Sequence, residues 1–120
     1  DVNIKYLRYA EVLLMKAEAL NELGQTSDAI PLLNQIRTRA GLANTTAASQ
    51  ADVRTAIWKE RRVEMAMEHD RFFDLVRTGQ AEAAFAIDGK TFVTGKHELF
   101  PLPQAFITQS KGLSAQNPGY

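Results

Sequence analysis

The sequence contains no cysteine among its 120 residues. That excludes a disulfide framework, a thiolate zinc site and a cysteine nucleophile. No charge of one sign dominates either: Lys+Arg and Asp+Glu are both 14. The balance is also local, with five of each sign in residues 1–40, six of each in 51–79 and three of each in 80–120. A nucleic-acid ligand calls for a positive stripe that displaces condensed counterions, and no segment supplies one. Long apolar runs are missing, so no stretch of this sequence can span a bilayer as a helix. Nor is there a basic start leading into an apolar stretch of the signal-peptide kind. The glycines are scattered singly, which leaves no phosphate-cradling loop, and no Gly-x-Ser-x-Gly elbow occurs.

What is present is an ordinary core-forming load: 45% of residues are apolar, and 17 are alanine. The length suits one domain. Residue 1 is Asp and an apolar-periodic pattern starts almost at once, so residues 1–120 are read as a single helical domain, the C-terminal part of a longer protein.

Leu7, Ala10, Leu13, Leu14, Ala17, Leu20 and Leu23 recur at steps of three and four, the period of an amphipathic helix over about 5–23. Gly24 then supplies a left-handed stop. Thr26 and Ser27 offer N-cap oxygens for a second helix over 27–40, with the stripe Ala29 or Ile30, Leu33, Ile36, Ala40 and a stop at Gly41. Pro31 falls early enough to sacrifice about one hydrogen bond. Uncharged residues 43–51 read as loop. A third helix is expected over 51–68, closed near His69, and a fourth over 71–78, closed by Gly79. In the tail, 80–120, Asp88-Gly89 between two short apolar runs suggests a small turn or hairpin. The prolines of Leu99-Phe100-Pro101-Leu102-Pro103 forbid helix there. The tail is expected to fold back with Phe100, Leu102, Phe106 and Ile107 as anchors.

Leu13, Ala17, Leu20, Gly24, Ala29, Leu33 and Ile36 also fit the spacing of one tetratricopeptide repeat. Small Ala17 and Ala29 permit close approach while the larger residues fill the remaining space. No second copy is legible, so other helices, here or upstream, must cover the open face.

The densest chemistry lies in Trp58 through Arg77. Extending the stripe of Val53 and Ile57 by helical spacing reaches Glu60, Glu64 and then Met67, which places two carboxylates on or beside the inward face. Paired carboxylates one turn apart invite an acid/base reading such as glycoside hydrolysis. Arginines at 61, 71 and 77 favour instead an ion-pair network that locks the third helix to the fourth, built from Glu60, Arg61, Glu64, Arg71 and Asp74. On that reading Glu60→Ala costs on the order of 3 kcal/mol by orphaning a buried arginine. His69 and His97 have no metal-binding spacing, so neither a metal nor a cofactor is expected. Trp58, Tyr6 and Tyr9 read as core or interface packing in preference to ligand stacking.

Four ordered pieces of sequence resemble the C-terminal region of the SusD/RagB family. The first runs from Arg8 to Gly24 (RYAEVLLMKAEALNELG). The second runs from Ala29 through Leu33-Asn34-Gln35-Ile36-Arg37 to Leu42. The third is Glu60-Arg61-Arg62-Val63-Glu64 with Arg71-Phe72-Phe73-Asp74-Leu75-Val76-Arg77-Thr78-Gly79. The fourth is Leu99-Phe100-Pro101-Leu102-Pro103, closing with Gln116-Asn117-Pro118-Gly119-Tyr120. His69-Asp70 departs from the glycine usual after the Glu68 position, a change expected to affect a helix end. The resemblance implies an all-α, tetratricopeptide-like scaffold with an irregular C-terminal tail packed back over it. It implies a non-enzymatic outer-membrane surface lipoprotein that binds oligosaccharides or peptides and docks on a TonB-dependent transporter. It carries no ligand-binding residue onto this chain. A free-standing repeat adaptor gripping a peptide is the alternative.

Overall fold

The computed structural model describes residues 7–68 and 70–120. Among them the regular structure is entirely helical: α1 Tyr9–Glu22, α2 Thr26–Arg39, α3 Gln50–Glu64, α4 Arg71–Arg77, α5 Ala81–Ile87 and α6 Gln104–Gln109. The chain divides into two compact units, Asp1–Arg71 and Phe72–Tyr120.

In the first unit α1, α2 and α3 all pack on one another. The predicted stripes form the core: Leu13, Leu14 and Ala17 from α1, Ala29, Leu33 and Ile36 from α2, Val53 and Ile57 from α3. Ala17 and Ala29 are both wholly buried, as the repeat spacing requires. Each large member contributes about 1.5–3 kcal/mol by leaving water. The turn between α1 and α2 follows from Gly24, whose φ of 80° closes α1. Gly24 N–H donates to Asn21 O at 3.0 Å and Gln25 N–H to Leu20 O at 2.9 Å. This double bond pattern satisfies the last carbonyls of the helix and needs a residue without a Cβ at its corner.

Among the described residues of this unit, Asn21 is the polar side chain that sits wholly inside. The Asn21 amide donates to Gln50 O at 2.9 Å and accepts from the Thr26 hydroxyl at 3.0 Å, while the Gln50 side chain donates to Asn21 O at 2.6 Å. Asn21 thus ties the end of α1 to the starts of α2 and α3, which is how its burial is tolerated. Thr26 and Ser27 lie inside the first turn of α2, whose N-cap is Gln25. The Thr26 hydroxyl is spent on Asn21 instead of on capping. At α3 the cap is Ser49, whose Oγ accepts from Asp52 N–H at 3.1 Å.

The third helix ends at Glu64, four residues before the sequence pattern suggested. Met65 is its C-cap and Met67 follows at φ 70°. His69, the expected terminator, lies outside the described residues, as does Tyr6. A helix cannot pass a left-handed residue, and Met67 is 95% exposed, so nothing apolar rewards continuing the turn.

The second unit is organised around Phe92. With Leu75 and Ala81 it forms a small core, covered by Phe72, Val76, Ala84 and Phe85. Phe72 and Phe85 approach the Phe92 ring at centroid distances of 6.5 and 5.4 Å. Of the turn or hairpin expected about Asp88-Gly89 the structure has the turn, and it closes a helix instead of joining two strands: Ala81–Ile87 is α5, and Lys90 N–H returns to Phe85 O at 2.9 Å. The same glycine that permits a hairpin also ends a helix, and the alanines before it favour the helix. Of the four expected anchors, Leu102 and Ile107 are half-buried, whereas Phe100 and Phe106 are exposed. Phe92 takes the buried place, with Phe100 reaching only as far as the Phe72 ring at 6.4 Å. The proline-rich stretch forms no helix, and the last residues brace it. Gln116 bonds both backbone groups of Leu102, Asn117 donates to Phe100 O, and the Tyr120 hydroxyl donates to Leu99 O.

Candidate functional site

The greatest concentration of charge surrounds α3. Its inward carboxylates meet guanidinium groups that come from elsewhere in the first unit. Glu60 Oε2 accepts from Arg37 Nη1 at 2.7 Å, and Arg37 Nε also donates to Ala43 O at 2.9 Å. Glu64 accepts from Arg39 Nη2 at 2.8 and 2.6 Å and from Arg8 Nη1 at 2.9 Å. Arg61, only 7% exposed, pairs with Glu11 at 3.1 Å and lies 3.6 Å from Asp70.

Arg8 has the most demanding role. As the N-cap of α1 it lies at one end of that helix, and its guanidinium reaches the end of α3. There it donates to the Glu64 backbone carbonyl at 2.7 Å and to the Glu68 carboxylate at 2.9 Å. A cation on the terminal carbonyls of a helix satisfies orphan acceptors and opposes the negative end of its dipole. The hydrogen bonds it donates to Glu68 and then to Glu64 hold the Arg8 guanidinium above its ordinary range.

A second set of pairs runs down the α1–α3 seam. Glu11 takes Arg61, Glu18 takes the Trp58 indole N–H at 3.0 Å, and Glu22 takes Arg54 through two bonds of 2.6 and 2.5 Å. The α1 positions rise as the α3 positions fall, which is the order an antiparallel pair imposes. Arg54 holds the Glu22 carboxyl below the usual carboxylate range, and Glu22 raises Arg54 in return.

Of the five residues singled out from sequence, the structure therefore gives Glu60, Arg61 and Glu64 partners on α1, on α2 and in the chain around the ends of α1 and α3. Asp74 accepts from Arg77 at 2.8 Å within α4. Arg71 opens α4. Sequence reasoning missed Arg8, Glu11, Arg37 and Arg39. A signal was available: Glu11, Glu18 and Glu22 share one face of α1 at steps of seven and four, and Arg54, Trp58 and Arg61 share one face of α3 at steps of four and three.

Chemically the arrangement holds charge in place. A general acid must present a proton, but the bonded oxygens of Glu60 and Glu64 accept from guanidinium N–H groups. Trp58 is half-buried with its indole N–H engaged, and Tyr9 is 71% exposed, so the Tyr9 ring is not part of the core. Among the described residues no group of three or more His, Asp or Glu is placed to hold a metal ion. None of their helices is long and apolar enough to cross a membrane.

Comparison with known proteins agrees with this helical architecture. The chain matches the SusD family along residues 1–120. It is similar to SusD-like protein P2 of Formosa agariphila, 34% identical over 95% of this chain and 25% of that protein. Among solved structures it resembles a SusD-like protein of Bacteroides fragilis, 34% identical with a TM-score of 0.83, over 95% of this chain and 25% of that one. It also resembles surface glycan-binding protein A of Bacteroides thetaiotaomicron, 30% identical with a TM-score of 0.84, over 97% of this chain and 25% of that one. This chain belongs to the SusD family. It spans about a quarter of the length of these relatives.

Proposed function

We propose that residues 1–120 form the non-catalytic C-terminal scaffold of a SusD-like surface lipoprotein. The whole protein binds oligosaccharide or peptide nutrients at the outer membrane and docks on a TonB-dependent transporter. The observation that carries this reading is the likeness, over 97% of the chain, to a surface glycan-binding protein. The chemistry of α3 supports the non-catalytic part, because its inward carboxylates are committed to arginines. Ligand contacts are assigned to the remaining part of the longer protein, and no residue here is given a ligand-binding role. The ion pairs of Glu60, Arg61, Glu64, Arg71 and Asp74 hold the scaffold.

The test uses the full-length protein. In affinity gels it is expected to be retarded by a subset of oligosaccharide polymers, and from outer membranes it is expected to co-purify with a TonB-dependent transporter. Trp58 fluorescence of the 120-residue chain is expected to stay flat on adding the same oligosaccharides. Retardation by no glycan or peptide, together with capture of no transporter, would overturn the reading. Turnover of an oligosaccharide by this chain would overturn its non-catalytic part.

A further inference from the structure

The turn that follows Phe92 is closed by two side chains reaching back along the chain. Val93 N–H donates to His97 Nδ1 at 2.9 Å, and Gly95 N–H donates to the two Glu98 oxygens at 2.9 and 2.8 Å. His97 N–H returns to Val93 O at 3.0 Å and completes the turn. A main-chain N–H only donates, so Nδ1 must offer its lone pair. The imidazole is thereby fixed as the neutral tautomer with its proton on Nε2. Its ring stands edge-on to Phe92, with centroids 5.6 Å apart and planes at 74°. Phe92 is 6% exposed and is the side chain around which the second unit is packed.

We propose that His97 is an acid-released catch on Phe92. In its neutral form it closes the turn and rests against the Phe92 ring. With a proton on Nδ1 it presents a donor to the Val93 N–H, two donors face each other, and the imidazole turns out. The turn then loses one of its closures, and Phe92 loses the ring at its edge. Protonation is the event that undoes this contact, because it turns its one acceptor into a donor. The second reach-back bond is released later, because the Gly95 N–H holds the Glu98 carboxyl below the usual carboxylate range.

The charges around the ring agree with that order. On the same turn the neighbouring Glu98 carboxylate, bonded through both oxygens to Gly95 N–H, is the acidic group beside His97. Lys96 is directed elsewhere, its Nζ lying 4.8 Å from the centroid of the Tyr120 ring. The α4 and α5 side chains in the cluster with Phe92 are Phe72, Leu75, Val76, Ala81, Ala84 and Phe85, none of which titrates.

Nuclear magnetic resonance of the whole chain tests it, with His69→Asn identifying the His97 signals. At pH 8 the Nε2–H tautomer is expected at His97. On acidification the Val93 amide and Phe92 ring signals are expected to move with the His97 midpoint. The protection of the Val93 amide against exchange should fall by about tenfold, the scale of one lost hydrogen bond. In His97→Asn the side-chain oxygen takes the place of Nδ1 and does not titrate, so both responses should vanish between pH 8 and 5. An Nδ1–H tautomer at pH 8, or Val93 and Phe92 signals unmoved while His97 titrates, would overturn the proposal. If His97→Asn does not fold, the titration of the unsubstituted chain decides alone.

Discussion

The side-chain amide of Gln116 bonds both backbone groups of Leu102: its oxygen accepts from Leu102 N–H at 2.7 Å and its nitrogen donates to Leu102 O at 2.9 Å. A residue 14 positions away thus completes what a neighbouring strand otherwise would. Pro101 and Pro103 explain the need, because neither has an N–H and the residue between them belongs to no helix. Gln116→Ala should destabilise the second unit by about 1–2 kcal/mol, two modest hydrogen bonds' worth. Amide exchange at Leu102 is the direct readout, and unchanged protection there would show that the amide contributes nothing.

The structure lowers the cost expected at Glu60. Its partner Arg37 keeps 27% of its side chain exposed and holds a second bond to Ala43 O. Removing the carboxylate therefore leaves the guanidinium with one partner and access to water. Glu60→Ala should cost about 2 kcal/mol, the scale of one charge-assisted hydrogen bond and not of a stranded buried charge. Glu60→Gln should cost less, since its amide oxygen still accepts. Urea midpoints at constant slope measure both, and an unchanged midpoint for Glu60→Ala would remove this pair from the account of stability.

Acid sensitivity should appear at the Glu22–Arg54 pair. Arg54 depresses the Glu22 carboxyl in the folded chain, so the folded state favours the ionised form relative to the unfolded one. The contribution is complete above the ordinary value of 4.5 and disappears as pH falls through the lower folded value. In urea the unsubstituted chain should exceed Glu22→Gln at pH 6, and the gap should close on acidification below 4.5. Side-chain exposures of 31% and 45% make the gap small and sensitive to salt. A gap that widens on acidification would mean that the pair has been misjudged.

How much of this fold was readable in the sequence depended on range. Apolar stripes and Gly24 placed α1, α2 and their turn, because period and a left-handed stop are local properties. The end of α3 was misplaced because it depends on Met67 and on Arg8, 56 residues from the Glu64 carbonyl that it bonds. The partners of Glu60 and Glu64 were sought among Arg61, Arg71 and Arg77 of the third and fourth helices, whereas Arg37 and Arg39 arrive from α2 and Arg8 from the start of α1. Spacing identifies which residues share a face, and it does not say which face of another helix lies opposite. Phe92 was passed over as an anchor for the same reason: nothing near it in sequence announces that Phe72 and Phe85 enclose it.

Asn21 offers the sharpest test of the first unit. Its side chain is wholly buried and joins three helices through Gln50 O and the Thr26 hydroxyl. Leucine has the same branching at Cγ and is the larger of the two, so Asn21→Leu removes the bonds without opening a cavity. The Gln50 carbonyl loses its donor and the Thr26 hydroxyl its acceptor, while the Gln50 side chain can still reach Asn21 O, a backbone atom. We expect a loss of about 2 kcal/mol, within the cost of leaving such a buried acceptor unmet. A gain in stability would mean that apolar burial at this junction outweighs both bonds. The three-helix junction would then be held by its core alone.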